Sequence, residues 1–299
     1  MVVGMSVHPR RSDRTGSVSW RVMFRIAGRQ RQETFIDERS AREFDRLVQK
    51  VGGDAAYRVL QARRSSDATM PTLREFTATY LDPASGLLTG VEPGTRKGYE
   101  RAAALSFLQI LGDYPVDAIG KDDIGRWLSW QEAQPSRRGK GTIAAKTIRN
   151  YHSILSAVLG AAVEKKHRRH NPAYRTRLTR GVKREGVFLT PDEFDTVLYF
   201  IPDHYQRFIL FLAGTGCRWG EATALEWGHV TLSGKVPSVR IVQAWKKGPT
   251  GAPVLKQPKS AMSRRTVSIT PDVVAALGEP GPADRLVFPG RLSGGHMWY

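Results

Sequence analysis

Hydrophobic and polar positions alternate from Ser17 to Ile26, SVSWRVMFRI. Trp20, Val22, Phe24 and Ile26 point one way, and Ser19, Arg21, Met23 and Arg25 the other. A period of two predicts a half-buried strand. Ala27-Gly28 marks a turn, and residues 29–36 read as the returning strand. Ser40-Ala-Arg-Glu43 has the spacing of a capping box and opens a helix in which Phe44, Leu47 and Val48 share a face, with Gly52-Gly53 expected to stop it. Residues 17–65 thus predict a small sheet-plus-helix module, and the polar, Arg-rich residues 1–16 before it are expected to be disordered.

After a short linker, SSDATM, the apolar spacing changes to three and four from Thr72 onward. LREFTATYL, TRKGYERAAALSFLQIL, KDDIGRWLSWQEAQ and AKTIRNYHSILSAVLGAAVEKK each predict a helix, and together an all-α unit over residues 70–172 closed by Asn171-Pro172. An Arg/Lys-rich linker, YRTRLTRGVKREG, follows. A further unit over residues 185–299 opens with Thr190 as N-cap and Pro191 in the first turn. It contains an apolar helix at 205–213, three strands at 238–244, 253–257 and 264–269, and a capped helix at 270–277. The expected fold is multidomain: a small N-terminal β-sheet-plus-helix domain, an all-α domain, and a mostly helical α+β domain with a three-stranded sheet.

Charge adds what the pattern does not. The 299 residues carry 46 Lys and Arg against 28 Asp and Glu, a net charge of +18 with a pI near 10.4. Basic residues recur in every segment, which points to a polyanionic partner, nucleic acid first; a very soluble basic surface and membrane-surface binding are the alternatives. No apolar run is long enough to span a bilayer, and the N-terminus has no apolar core of a secretion signal. The single cysteine, Cys217, excludes a disulfide framework and suits a cytoplasmic setting.

Several places could carry chemistry. The Arg-bearing sheet face, with Arg21 and Arg25, is either solvated or lies on DNA. The loop PSRRGKGT and the helix start with Lys146, Thr147 and Arg149 suit phosphate contact. His167 and His170 lack a third metal ligand, so Lys165–His170 reads as a solvated basic helix end. In GTGCRWGEATALEW, residues 214–227, the glycines permit a tight turn that sets Arg218 near a helix start, with Glu221 three residues on. Such an Arg is either half of a structural ion pair or a two-pronged grip on phosphate. Cys217 beside it reads as a small buried filler.

Taken with PKSAMSRRTVSI and VFP downstream, this stretch resembles the tyrosine recombinase family, particularly phage integrases. Thr215-Gly216-Cys217-Arg218-Trp219-Gly220-Glu221 matches the family's T-G-x-R-x-G-E, and Lys259 takes the place of its hairpin Lys, with Ser260 where Thr is usual. The resemblance implies an arm-type DNA-binding domain over 1–65, a helical core-binding domain over 70–172 and part of the catalytic domain over 185–299. It implies Arg218 as a catalytic clamp, Lys259 as general acid and Glu221 as their support. It also implies site-specific DNA integration and recombination, including viral genome integration, without cofactor or metal. The implied partners are double-stranded attachment-site DNA, further copies in a DNA-bound tetramer and DNA-bending accessory proteins.

The pattern is incomplete. No H-x-x-R follows Lys259, and Tyr299 comes after a Gly-rich stretch with no helix before it. Tyr299 is therefore not expected to be the nucleophile, and His296–Tyr299 is expected to begin a helix of a longer protein. A chain that occupies recombination sites without cutting them is the alternative reading.

Overall fold

The computed structural model describes residues 7–11, 17–67, 69–136, 139, 141–181, 185–248, 252–257, 264–290 and 297. Contacts divide the chain into two compact units, residues 1–183 and 184–299.

The first unit opens with an antiparallel sheet in the order β1 (Val7–Arg11), β2 (Val18–Ile26), β3 (Arg29–Phe35). β1 corrects the expectation of disorder for residues 7–11: it pairs with β2 from Val7↔Val22 to Arg11↔Val18. Only Val7 and Pro9 reach the apolar side, too few to register as a pattern. Helices α1 (Glu38–Val51) and α2 (Gly53–Ser65) cover that side, burying Val22 and Phe24 against Ala41, Phe44 and Ala56. The N-cap of α1 is Asp37 rather than Ser40. Its carboxylate accepts the Ser40 N–H and the Ser40 hydroxyl, each at 2.8 Å, a stronger acceptor than a hydroxyl would be. Gly52 ends α1 as expected, but a second helix, α2, follows at once. Gly52 turns the chain at φ 81°, and a Cβ on Gly53 would lie 2.1 Å from the Arg25 carbonyl oxygen, so only glycine lets α2 start against β2.

The helical half consists of α3 (Leu73–Leu81), α4 (Pro93–Leu105), α5 (Phe107–Ile110), α6 (Lys121–Glu132) and α7 (Ala145–Glu164) around Leu73, Phe107, Ile124, Trp127, Leu155 and Leu159. The predicted single helix over TRKGYERAAALSFLQIL is broken at Ser106, which is fully buried at φ −130° and ψ −110°. The two halves of this unit share packing. Val59 of α2 belongs to the helical core, Lys50 pairs with Asp113 at 2.9 Å, and the Ser66 hydroxyl donates to Asp117 at 2.7 Å. The end of α7 is not merely solvated either. Arg168 donates to the carbonyls of Val116 and Ile119, each at 2.7 Å, and of His170 at 2.8 Å, while burial draws its pKa down. His167 packs edge-on to Phe76.

The second unit runs α8 (Pro191–Phe200), α9 (Asp203–Thr215), α10 (Trp219–Ala222), β4 (Val230–Thr231), β5 (Ser238–Ile241), β6 (Ala244–Lys247), β7 (Pro253–Lys256), β8 (Arg265–Ser268) and α11 (Pro271–Leu277). Thr190 is the expected N-cap of α8, and with Glu193 it forms a capping box. A three-stranded sheet is present, but in the order β4-β5-β8, while β6 and β7 make a separate two-stranded ribbon. The predicted strand 238–244 is split because Gln243 turns inward, its amide donating to the Ala224 carbonyl and Glu226 carboxylate at 2.9 Å each. The core joins Phe208, Phe211, Leu225, Val239, Ile241, Val273 and Phe288.

Candidate functional site

The chain reverses between α9 and α10 at Gly216, whose φ of 61° is the left-handed conformation that favours glycine. Gly214 serves differently from the turn read in the sequence. It lies inside α9, where a Cβ would come 2.6 Å from the Val273 side chain on α11. After Gly216, Cys217 turns inward and Arg218 becomes the N-cap of α10. Burial pushes the Cys217 thiol pKa up, as in a filler rather than a nucleophile.

Glu221, with its side chain 6% exposed, is the centre of the cluster. Its carboxylate accepts Arg218 Nη1 at 2.8 Å, the Arg218 backbone N–H at 3.0 Å and Arg265 Nη2 at 2.9 Å. Burial alone would raise the Glu221 pKa. The bonds from Arg265 and Arg218 outweigh it and hold the carboxyl below its ordinary range. Arg265 in turn has its pKa raised by its bond to Glu221. The two arginines differ in access: Arg265 is 30% exposed, but Arg218 is 77% exposed. Arg218 is thus tied at one nitrogen and keeps the rest of its guanidinium fork toward solvent, so an ion pair and an anion grip coexist in one side chain. The backbone adds less than a helix start would. Helix α10 has a single turn, so few peptide dipoles align, and the Arg218 N–H is already taken. Gly220 completes the arrangement, since a Cβ there would meet the Trp245 carbonyl of β6 at 2.6 Å.

Arg265 was not singled out by the sequence. The available signal was parity: it lies two residues from Val267 and opposite the buried Ile241, so a charge there needs a partner. Lys259, the expected general acid, lies outside the described residues, as do His296 and Tyr299. Met297 is buried in the core of the second unit.

In the first unit, the strand register puts Arg10, Arg21 and Arg25 on one sheet face with His8, Ser19, Met23, Gln30, Gln32 and Thr34. That face carries no carboxylate among the described residues. Glu33 lies on the opposite face, where it accepts Arg64 at 2.8 Å. Lys146, Thr147 and Arg149 occupy the first two turns of α7, with Lys146 and Arg149 exposed and three residues apart. In the loop before it, Arg137, Arg138 and Lys140 lie outside the described residues. Among the described residues no group of His, Cys, Asp and Glu is arranged to hold a metal ion, and no helix is long and apolar enough to cross a membrane.

No protein-family model matches the chain. In sequence it is similar to the integrase of Mycobacterium phage FRAT1, 26% identical over 220 residues, 73% of this chain and 60% of that protein. It is also 26% identical over 219 residues to the integrase of Mycobacterium phage D29, 73% of this chain and 54% of that protein. The chain therefore spans a little over half the length of these relatives. In fold it matches the Tn1549 transposon integrase, solved in complex with a circular intermediate DNA, with a TM-score of 0.63 at 20% identity over 77% of this chain and 74% of that one.

Proposed function

We propose, from its kinship with the phage integrases of the tyrosine recombinase family, that this chain is the DNA-gripping part of a site-specific recombinase. The observation that carries the proposal is the Glu221-centred cluster: an exposed arginine, braced by a buried carboxylate, within the motif that resembles the family's first catalytic Arg. The arm-type role belongs to residues 1–65, the core-binding role to 70–172 and the catalytic role to 185–299. Double-stranded attachment-site DNA is the substrate, met by the Arg21/Arg25 sheet face and by Lys146, Thr147 and Arg149. Assembly as a tetramer on DNA, help from DNA-bending accessory proteins and a bacterial cytoplasmic setting belong to the same reading.

In the complete reaction a Tyr hydroxyl attacks a DNA phosphorus atom and releases its proton to solvent. A 3′-phosphotyrosine ester forms and the bond to the 5′-oxygen breaks. Arg218 holds the non-bridging oxygens while negative charge builds on them, and Lys259 gives its proton to the departing 5′-oxygen. The ester conserves the bond energy, so the reverse attack by a 5′-hydroxyl rejoins strands without an external energy source. Glu221 takes no proton in this scheme; it keeps Arg218 in place.

Because no H-x-x-R follows Lys259, a polypeptide of these 299 residues is expected to bind attachment-site DNA and form no covalent adduct. A nicked suicide duplex that traps phosphotyrosine checks this. A protein–DNA band that disappears in Tyr299→Phe would overturn the assignment of the nucleophile. Sequencing the gene past codon 299 separates the enzyme from a site-occupying chain that cannot cut. An in-frame H-x-x-R followed by a Tyr supports the enzyme.

A further inference from the structure

A second basic feature lies beside the cluster and is absent from its chemistry. His229, Arg240, Gln243, Gln257, Arg264 and Arg265 line an open groove of about 550 Å³. Its walls come from the β5–β8 pair. Arg240 stands opposite Thr266 on the sheet face away from the core, and Arg264 and Arg265 lead into β8. Arg264 donates to the side-chain oxygen of Gln257, which holds its guanidinium over the opening. Among the described residues no carboxylate lines the groove, and the neighbouring Glu226 is engaged by the Gln243 amide. Neither Arg240 nor Arg264 has a carboxylate partner among the described residues. Glu221 lies beneath, in a smaller space that His229, Arg240 and Gln243 also line. Arg265 belongs to both features, bonded to Glu221 and facing the groove.

We infer that this groove is a second phosphate-binding position, seating the backbone of duplex DNA next to the phosphate that Arg218 would hold. The inference rests on the DNA-binding reading above and adds a surface to it. Arg240 and Arg264 add two charges that no carboxylate among the described residues offsets, while Glu221 offsets Arg265, so the lining is net positive and favours an anion; two exposed guanidinium forks suit phosphate oxygens. The groove's size exceeds a single phosphate ion's needs, in keeping with a stretch of backbone. Its lining selects duplex over single strands. Among the described residues Val242 is the one apolar side chain lining it and no aromatic ring does, so unpaired bases find nothing there to stack on. The groove therefore reads charge and shape, positioning the duplex without reading its sequence.

The test uses the full chain and a fluorescein-labelled DNA duplex, with affinity measured by anisotropy between about 50 and 200 mM salt. Arg240→Gln/Arg264→Gln should weaken binding on every duplex sequence and lower the slope of log affinity against log salt by roughly 2, near one unit per lost phosphate contact. The control Lys235→Gln/Arg285→Gln removes the same charge from exposed sites elsewhere in the second unit and should leave the slope within a few tenths. Arg240→Lys/Arg264→Lys should retain most of the slope, and unchanged thermal melting shows that loss is not unfolding. A wild-type chain that binds duplex while the groove variant behaves like the control overturns the groove alone. A wild-type chain without salt-sensitive duplex binding overturns both readings. Equal loss on a single-stranded RNA of the same length makes RNA the occupant and overturns the duplex assignment.

Discussion

At the scale of the residue, Glu221 concentrates the most consequence in one side chain. A buried carboxylate with two guanidinium partners is stable only while ionised. Its pKa is lowered in the folded chain, so its contribution is complete above the unfolded carboxyl value of about 4.3 and is lost as pH falls through the lower folded value. Glu221→Gln should therefore destabilise the protein by about 2 kcal/mol near neutral pH, as charged hydrogen bonds do when one partner is removed. In urea melts the gap between wild type and variant should close below about pH 4; a gap that stays constant with pH would show that Glu221 is not charged in the fold. Arg218 predicts a different separation. In a complete enzyme carrying this segment, Arg218→Lys should lower the strand-cleavage rate about 100- to 1,000-fold, with melting and DNA affinity nearly unchanged. Unfolding of that variant, or normal cleavage, would mean that the ion pair alone explains the residue.

At the scale of the element, close approaches decide the site. Helix α10 lies against β6 with Gly220 facing the Trp245 carbonyl, where a Cβ would sit at 2.6 Å. Gly220→Ala must push strand and helix apart. It should cost about 1–3 kcal/mol by overpacking and move Arg218 with it; thermal melting measures this, and an unchanged midpoint would contradict the contact. The sheet face of the first unit follows from register alone, since antiparallel partners share a side and Arg10, Arg21 and Arg25 cannot turn away singly.

At the scale of the whole molecule, shared packing changes how DNA binding should be dissected. Removing residues 1–65 takes Val59 from the helical core and breaks the Lys50–Asp113 pair with it, so loss of function after that deletion would mix unfolding with lost contacts. Arg21→Gln/Arg25→Gln should leave the fold intact, since both side chains lie on the sheet face opposite the one that α1 and α2 cover. It should abolish recognition of one class of sites and spare core-site binding, whereas Lys146→Gln/Arg149→Gln should do the reverse; gel shifts on the two site classes check both. Equal effects of both pairs on all sites would dissolve the division into two DNA-binding surfaces.

Legible from the sequence were the change from period two to period three-and-four, the N-cap at Thr190 and the Arg218–Glu221 spacing. These depend on residues within one turn or one strand of each other, where a side chain's direction follows from its position in the chain. The remaining features depend on distant partners. β1 is a strand because β2 offers it an edge, and the helix over residues 95–111 breaks where Ser106 is buried. Arg168 is a brace because two carbonyls 52 and 49 residues earlier face it. Arg265 reaches Glu221 across 44 residues because β8, which it opens, pairs with β5. Local pattern records which groups each segment presents, but long-range pairing decides which of them meet, because their approach depends on packing between segments far apart in the chain.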